Sequence, residues 1–274
     1  MNSAVYRVVK RREETGTGDV VSLRLRPAPG VSPIGIEPGQ FNLLSLNDGV
    51  EIPAVLSGRE DDGVLMHTIR AEDESHRALI RLAEGDELQI RGPFGSAWPL
   101  DRARGKSVVL VAGGLGISAL RPLIVEIYRN HQAYRGLHLL YGMRHPEDIL
   151  YRDEIIAWER RPFMDVQITV DFGGPSWRGH VGVVNHLIRK LRLSGSDTVA
   201  FICGPELMMR YAVLALKAQD LPDDQLLLSF ARTFPHVQGL PQPCPLGPDI
   251  DCRQGPVFRF DQIQSWMRQR DRPN

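Results

Sequence analysis

The sequence predicts a two-part chain of the β + α/β class with an irregular tail. Three observations predict it. The first hundred residues hold short, partly alternating apolar runs punctuated by Gly, Pro, Asn and Asp, as in an antiparallel sandwich or barrel. From Val108 onward, continuous apolar runs alternate with helical ones, as in βα units whose parallel sheet is covered on both faces. After Phe230, proline and glycine become frequent and no period survives, which marks irregular chain.

In the first part the expected strands are Val20 to Pro27, Phe41 to Leu46, Gly63 to Arg70 and Glu87 to Gly95. One helical segment, SHRALIRLAEG, interrupts them. DRARGKS, Asp101 to Ser107, is charged, lacks a hydrophobic period and reads as a linker. In the second part strands are expected at Val108 to Gly114, Leu137 to Arg144, Val166 to Phe172, Thr198 to Gly204 and Gln225 to Phe230. Helices are expected near Ala119 to Asn130, Pro146 to Arg160, Val183 to Leu193 and Pro205 to Ala218.

Composition narrows the class. With 42% hydrophobic and 24% charged residues, the 274-residue chain has enough apolar material for a sizeable core. A formal net charge of zero gives no global field to recruit nucleic acid or an anionic membrane. No apolar run approaches the roughly 18 residues of a membrane span. Three cysteines, Cys203, Cys244 and Cys252, argue against a secreted disulfide framework. MNSAVYRVVKRREE lacks the apolar stretch of a signal peptide, so a cytoplasmic location is expected.

Three glycine-rich turns carry the chemistry. VAGGLGISAL sets Gly113, Gly114 and Gly116 between a strand and its helix. Such a turn either cradles a phosphate at the helix N-terminus or packs helix on strand. CGPELMM, from Cys203, lies at the carboxyl end of a later strand. Its cysteine either faces a nicotinamide ring or is a small buried apolar residue. RGPFG, Arg91 to Gly95, is either an ordinary barrel turn or a set of backbone amides near a pyrophosphate.

Together and in this order, PGQF (Pro38 to Phe41), RGPFG, VAGGLG, YGMRHPEDILYRDE (Tyr141 to Glu154), CGPELMM and GPVF (Gly255 to Phe258) resemble the ferredoxin–NADP reductase superfamily. The likeness is greatest to the flavin-bearing gamma subunits of cytosolic NAD(P)-reducing nickel–iron hydrogenases, or sulfhydrogenases. The electron-transfer subunits of dihydroorotate dehydrogenase are similar. The resemblance implies an FAD-binding antiparallel β-barrel (1–103), a parallel-sheet NAD(P)-binding domain (104–230) and an iron–sulfur-type tail (231–274). It also implies hydride exchange between NAD(P)H and FAD, and electron transfer to redox partner subunits, as in a hydrogenase-like complex.

Residue by residue, the resemblance puts Gly113, Gly114 and Gly116 on the phosphate turn. Cys203, the catalytic position, falls beside the nicotinamide with Gly204 and Pro205. Arg144 and Asp171 border the dinucleotide. On the flavin side it implies Pro53, Ala54, Val55 and Ser57, then Thr68, Ile69 and Arg70, then Ser75 and His76, and the turn Gly92, Pro93 and Gly95. Here the chain departs from its relatives. Val55 stands where they carry a hydroxyl, and Asp73 and His76 stand where they carry Gly and Thr or Ser at the helix facing the FAD pyrophosphate.

In the tail, the four cysteine positions of the plant-type spacing are held by His236, Pro241, Cys244 and Cys252. Proline has no side-chain donor atom, so no ordinary two-iron two-sulfur cluster is expected. His236, Cys244 and Cys252 remain as metal donors. The alternative function is a redox-inactive structural or regulatory subunit that keeps the reductase fold in a multisubunit complex.

Overall fold

The structure is a computed structural model that describes residues 3–46, 49–230, 246, 250–251 and 254–268. The first part is a closed barrel of β1 (Ser3–Glu13), β2 (Val20–Pro27), β3 (Phe41–Ser45), β4 (Glu51–Arg59), β5 (Leu65–Arg70) and β6 (Glu87–Phe94). Their order around the barrel is β1-β2-β5-β4-β3-β6. A short helix, α1 (Glu74–Ile80), follows β5. Inward-facing Val21, Leu23, Leu44, Ile52, Ala54, Leu56, Ile69 and Ile90 fill the interior.

β1 and β4 were not expected as strands. β1 is crowded with charges, and β4 contains Pro53 and Gly58, residues that demote a strand reading. Closure supplies what propensity does not. β4 pairs with β3 on one side, Pro53 opposite Leu43 and Val55 opposite Phe41. On its other side it pairs with β5, through a bulge between Leu56 and Gly58.

The second part is a seven-stranded sheet. It contains β7 (Ser107–Gly113), β8 (Gly136–Met143), β9 (Met164–Val170), β10 (His180–Val181), β11 (Thr198–Cys203), β12 (Leu226–Ser229) and β13 (Val257–Arg259), in the order β10-β9-β8-β7-β11-β12-β13. All neighbours are parallel except β12 and β13. Thus Val257–Arg259, within the segment read as irregular, is an antiparallel edge strand. One face carries α2 (Gly116–Arg129) and α3 (Arg152–Glu159), which share a core with Trp98, Met66 and Val20 of the first part. The other face carries α4 (Asn185–Ile188), α5 (Glu206–Lys217) and α6 (Gln264–Arg268), with Trp266 and Phe230 in their core. α4 is one turn long, although the apolar period suggested a helix to Leu193.

Arg121, in α2, joins the two parts. It is 9% exposed. Its Nη1 donates to the Ser57 carbonyl at 2.7 Å. Its Nε and Nη2 donate to Glu154 of α3 at 2.9 and 3.0 Å. The guanidinium also lies 5.5 Å from the centre of the Tyr151 ring. Tyr151 caps α3 in the left-handed region at φ 55°, a strain of about 1–2 kcal/mol for a non-glycine residue. Its N–H donates to Glu14, and its hydroxyl bonds Thr68 Oγ1 at 2.6 Å. Thr68 in turn bonds Ser22 and Ser57. Gly58 makes room, since a Cβ there would lie 2.5 Å from Arg121 Nη1.

A second polar knot lies inside the barrel. His67 and Asn42 are both fully buried. His67 Nδ1 lies 2.8 Å from the Val55 carbonyl, which can only accept, so Nδ1 carries the proton. Nε2 then accepts from Asn42 Nδ2 at 3.2 Å. Burial pushes the imidazole down to about 4 from its usual 6.5, so it is neutral at pH 7.

Two outcomes follow from these knots. Arg121→Ala strands Glu154 and the Ser57 carbonyl, and is expected to lower stability by about 2–3 kcal/mol in urea unfolding. His67 binds its proton more weakly folded than unfolded, so its contribution is complete above pH 6.5 and is lost as pH falls toward 4. That loss is about 3 kcal/mol. The stability difference between pH 7.5 and 4.0 should therefore shrink by about that amount in His67→Phe, and an unchanged difference would refute the assignment.

Candidate functional site

The sheet reverses direction of build between β7 and β11, so its switch point lies between the loops that follow these two strands. Open α/β sheets bind ligands at the carboxyl edge beside such a point. Both loops here are glycine turns, and they pack on each other. A Cβ on Gly113 would meet Pro205 and Met208. One on Gly116 would collide with the Cys203 carbonyl, and one on Gly204 would lie 3.0 Å from the Gly113 Cα. Gly114 differs: it sits at φ +55°, and nothing lies within 4 Å of its missing side chain. Of the three glycines, two are fixed by packing and one opens onto free space.

α2 starts at this opening. It is 14 residues long, its N-cap Leu115 makes no side-chain capping bond, and no acid occupies its first turn. The Ser118 and Ile117 N–H groups turn back onto the Leu115 and Gly114 carbonyls at 3.0 and 3.4 Å, so the helix start offers an anion chiefly the positive end of its dipole. Cys203 is 3% exposed and packs among Trp98, Ala112 and Phe201. Arg144 and Asp171 are exposed after β8 and β9, and backbone bonds tie their loops together, Asp171 N to Met143 O and Phe172 N to Arg144 O. The His145 and Phe172 rings stack at 5.4 Å, and Phe172 is 64% exposed. Sequence reasoning missed this pair; its one signal was a large aromatic at the head of a glycine-rich loop.

The flavin-side positions are scattered over three environments. Val55 packs outside the barrel against Phe41, Leu43 and Phe94, and Pro53, two residues away, shares that face by alternation. Ala54 and Ile69 point into the barrel core. Ser57 and Thr68 are 0% and 3% exposed, and their hydroxyls are committed to Met66 O, Ser22 and Tyr151. Arg70 is the open group: its Nε is buried without a hydrogen-bond partner, and Asp19 stands 4.0 Å away.

Asp73 caps α1, accepting from the His76 N–H at 2.9 Å and from His76 Nδ1 at 2.8 Å. The His76 backbone and side-chain donors hold its carboxyl below the usual range. His76 is thus tied to Asp73, and Ser75 is half-buried beside it. Gly92 meets the Asn42 side chain, and Gly95, at φ +78°, meets Gly255 and Pro256. Ser96 fastens this turn to the C-terminal strand through Gly255 O and Val257 O. RGPFG therefore docks β13, with Pro93 half-buried at its centre. His236, Cys244 and Cys252 lie outside the described residues.

A closed barrel against a parallel sheet with paired glycine turns at its switch point is the architecture of a pyridine-nucleotide reductase. Comparison with known proteins agrees. Residues 110–213 match the oxidoreductase NAD-binding domain family. The chain is 27% identical over 270 residues to the sulfhydrogenase 2 gamma subunit of Pyrococcus furiosus, 93% of each chain being covered. It is 31% identical over 226 residues to a probable dihydroorotate dehydrogenase B (NAD(+)) electron transfer subunit of the same organism, covering 82% of this chain and 81% of that one. Among solved structures, an NADH-dependent reduced ferredoxin-NADP oxidoreductase superposes with a TM-score of 0.72 at 22% identity, over 98% of this chain and 95% of the other. The chain belongs to the ferredoxin–NADP reductase superfamily, in the family that contains these electron-transfer subunits. No helix among the described residues is long and apolar enough to cross a membrane.

The glycines separate by substitution. Gly116→Ala drives a Cβ into backbone and should cost about 3 kcal/mol of stability. Gly114→Ala meets only left-handed strain, about 1 kcal/mol. Urea titration of the two variants checks the order, and equal losses would contradict it.

Proposed function

We propose that the chain is a flavin-dependent oxidoreductase subunit that exchanges hydride between NAD(P)H and FAD and passes electrons to a partner subunit. The observation that carries this reading is the open Gly114 turn at the uncapped start of α2, a ready site for a pyrophosphate. Arg144, Asp171 and the stacked His145–Phe172 pair support an adenosine end near β8 and β9. Cys203, Gly204 and Pro205 then flank the nicotinamide end.

For FAD, Arg70 Nε, buried without a hydrogen bond beside Asp19, fits a diphosphate oxygen. Half-exposed Val55 and Pro53, backed by buried Phe41 and Phe94, supply an apolar outer barrel face for a ring, with Gly92 to Gly95 at its border. FAD, when bound, supplies hydride acceptance and one-electron release. The chain's residues bind, orient and exclude water. The relatives' names, a sulfhydrogenase subunit and an electron transfer subunit, support a multisubunit redox complex.

A second reading, a redox-inactive subunit, is favoured by the Ser57 and Thr68 hydroxyls and the Asp73 carboxylate, all committed within the chain. The colour of the purified protein decides between them. A flavin band that NADH or NADPH bleaches anaerobically, and that Arg70→Ala weakens at least about tenfold in FAD affinity, supports the first. Protein that stays colourless with added FAD supports the second. Iron and acid-labile sulfide assays test the tail, and two of each per chain would overturn the expected loss of the ordinary cluster.

His76 stands at the head of α1 with its Nδ1–H given to Asp73. His76→Gln tests whether the side chain adds to FAD affinity, and an unchanged Kd removes His76 from the site.

A further inference from the structure

A separate cavity of about 220 Å³ lies along the seam between α2 and the β4–β5 end of the barrel. It shares no residue with the nucleotide or flavin positions above. Its helix wall runs from Arg121 to Arg129, and Arg129 lies about 20 Å along the axis from Gly116 at 1.5 Å per residue.

Four arginines line it, Arg24, Arg59, Arg121 and Arg129, against two glutamates, Glu60 and Glu126. Arg24 pairs with Glu60 at 2.9 Å, and Arg121 is held by Ser57 and Glu154. Glu126 accepts from Asn130. Arg59 gives only Nη1, to the Ile36 carbonyl at 3.1 Å. Among the described residues, neither Arg59 nor Arg129 has a carboxylate partner. With Arg24 balanced by Glu60 and Arg121 by Glu154, two guanidiniums, one on each wall, are left facing one cavity against the single carboxylate of Glu126, a net charge of one. Between them lie apolar Val64, Met66 and Val125.

We propose that this cavity binds a small organic phosphate monoester. Two guanidinium forks without carboxylate partners match the several oxygens of one phosphate, and the excess positive charge favours an anion. The apolar surface takes the ester's body. The occupant would bridge barrel and α2 beside Arg121, the residue that already clamps them, so it would tighten the seam. This makes the cavity an effector site for the domain junction.

The test uses the full chain with FAD and NAD+ in excess, so that their phosphate sites are blocked. Phenyl phosphate titrated by calorimetry should bind at one further site and raise Tm. Inorganic phosphate should bind more weakly. Arg59→Ala and Arg129→Ala, both surface residues, should each weaken phenyl phosphate about tenfold, and the double variant should abolish both binding and Tm shift while cofactor affinities stay unchanged. No binding at millimolar phenyl phosphate, or binding that survives the double variant, overturns the proposal. Phthalate binding as tightly as phenyl phosphate overturns the phosphate assignment. The loss of binding in the double variant reads this cavity alone, because neither arginine belongs to the nucleotide or flavin positions.

Discussion

One buried guanidinium governs how the two halves meet. Arg121 reaches from α2 to the backbone of β4 and to Glu154 of α3. Taking a charge out of water is expensive unless its partners are complete. Here a bidentate carboxylate, a carbonyl and an aromatic face complete them. That requirement explains its neighbours. Gly58 has no side chain because Arg121 fills the space. Tyr151 adopts a left-handed backbone because its ring and hydroxyl must both face the seam. Ser57, Thr68 and Ser22 turn their hydroxyls inward to satisfy one another and Tyr151.

α2 therefore has two roles along its length. Its first turn, uncapped, opens at the carboxyl edge of the sheet. Its middle, at Arg121, is bolted to the barrel. The bolt fixes where the helix start stands relative to β4, the strand that carries Pro53 and Val55. A nucleotide at the turn and a ring on the barrel face would be registered by the same helix. Rigid elements hold such a geometry better than loops do. The C-terminal strand adds a second fastening, since β13 pairs with β12 while its leading residues pin the Gly95 turn.

The parallel strands were legible because burial on both faces leaves continuous apolar runs, as in VVLVAGG and TVAFICG. Their observed bounds differ from the expected ones by a residue or two at most ends. β1 and β4 were illegible because barrel closure, not propensity, holds charged residues, Pro53 and Gly58 in strands. In the glycine turn, spacing alone could not separate Gly114 from Gly113 and Gly116. The separation depends on what lies opposite each, Met208 and Pro205 or the Cys203 carbonyl or nothing. Ser57 and Thr68 carried the right atoms for a cofactor, but their partners come from Tyr151 and Ser22, distant in sequence.

The same comparison reorders the flavin half. The departures at Val55, Asp73 and His76 look in sequence like losses around a cofactor. In the structure, Asp73 and His76 form a closed unit that caps α1, and Val55 completes an apolar cluster with Phe41, Leu43 and Phe94. The polar groups there serve the fold, so any flavin contact must come from groups the fold leaves unsatisfied. Arg70 Nε is such a group, buried without a hydrogen bond and 4.0 Å from the Asp19 carboxylate. A buried donor without a hydrogen bond is unfavourable by about 1–3 kcal/mol, and the Asp19 ion pair offsets part of that cost. In the proposed function an anion at Arg70 would therefore be held by fewer polar contacts than the Gly-and-hydroxyl pattern of the relatives would provide.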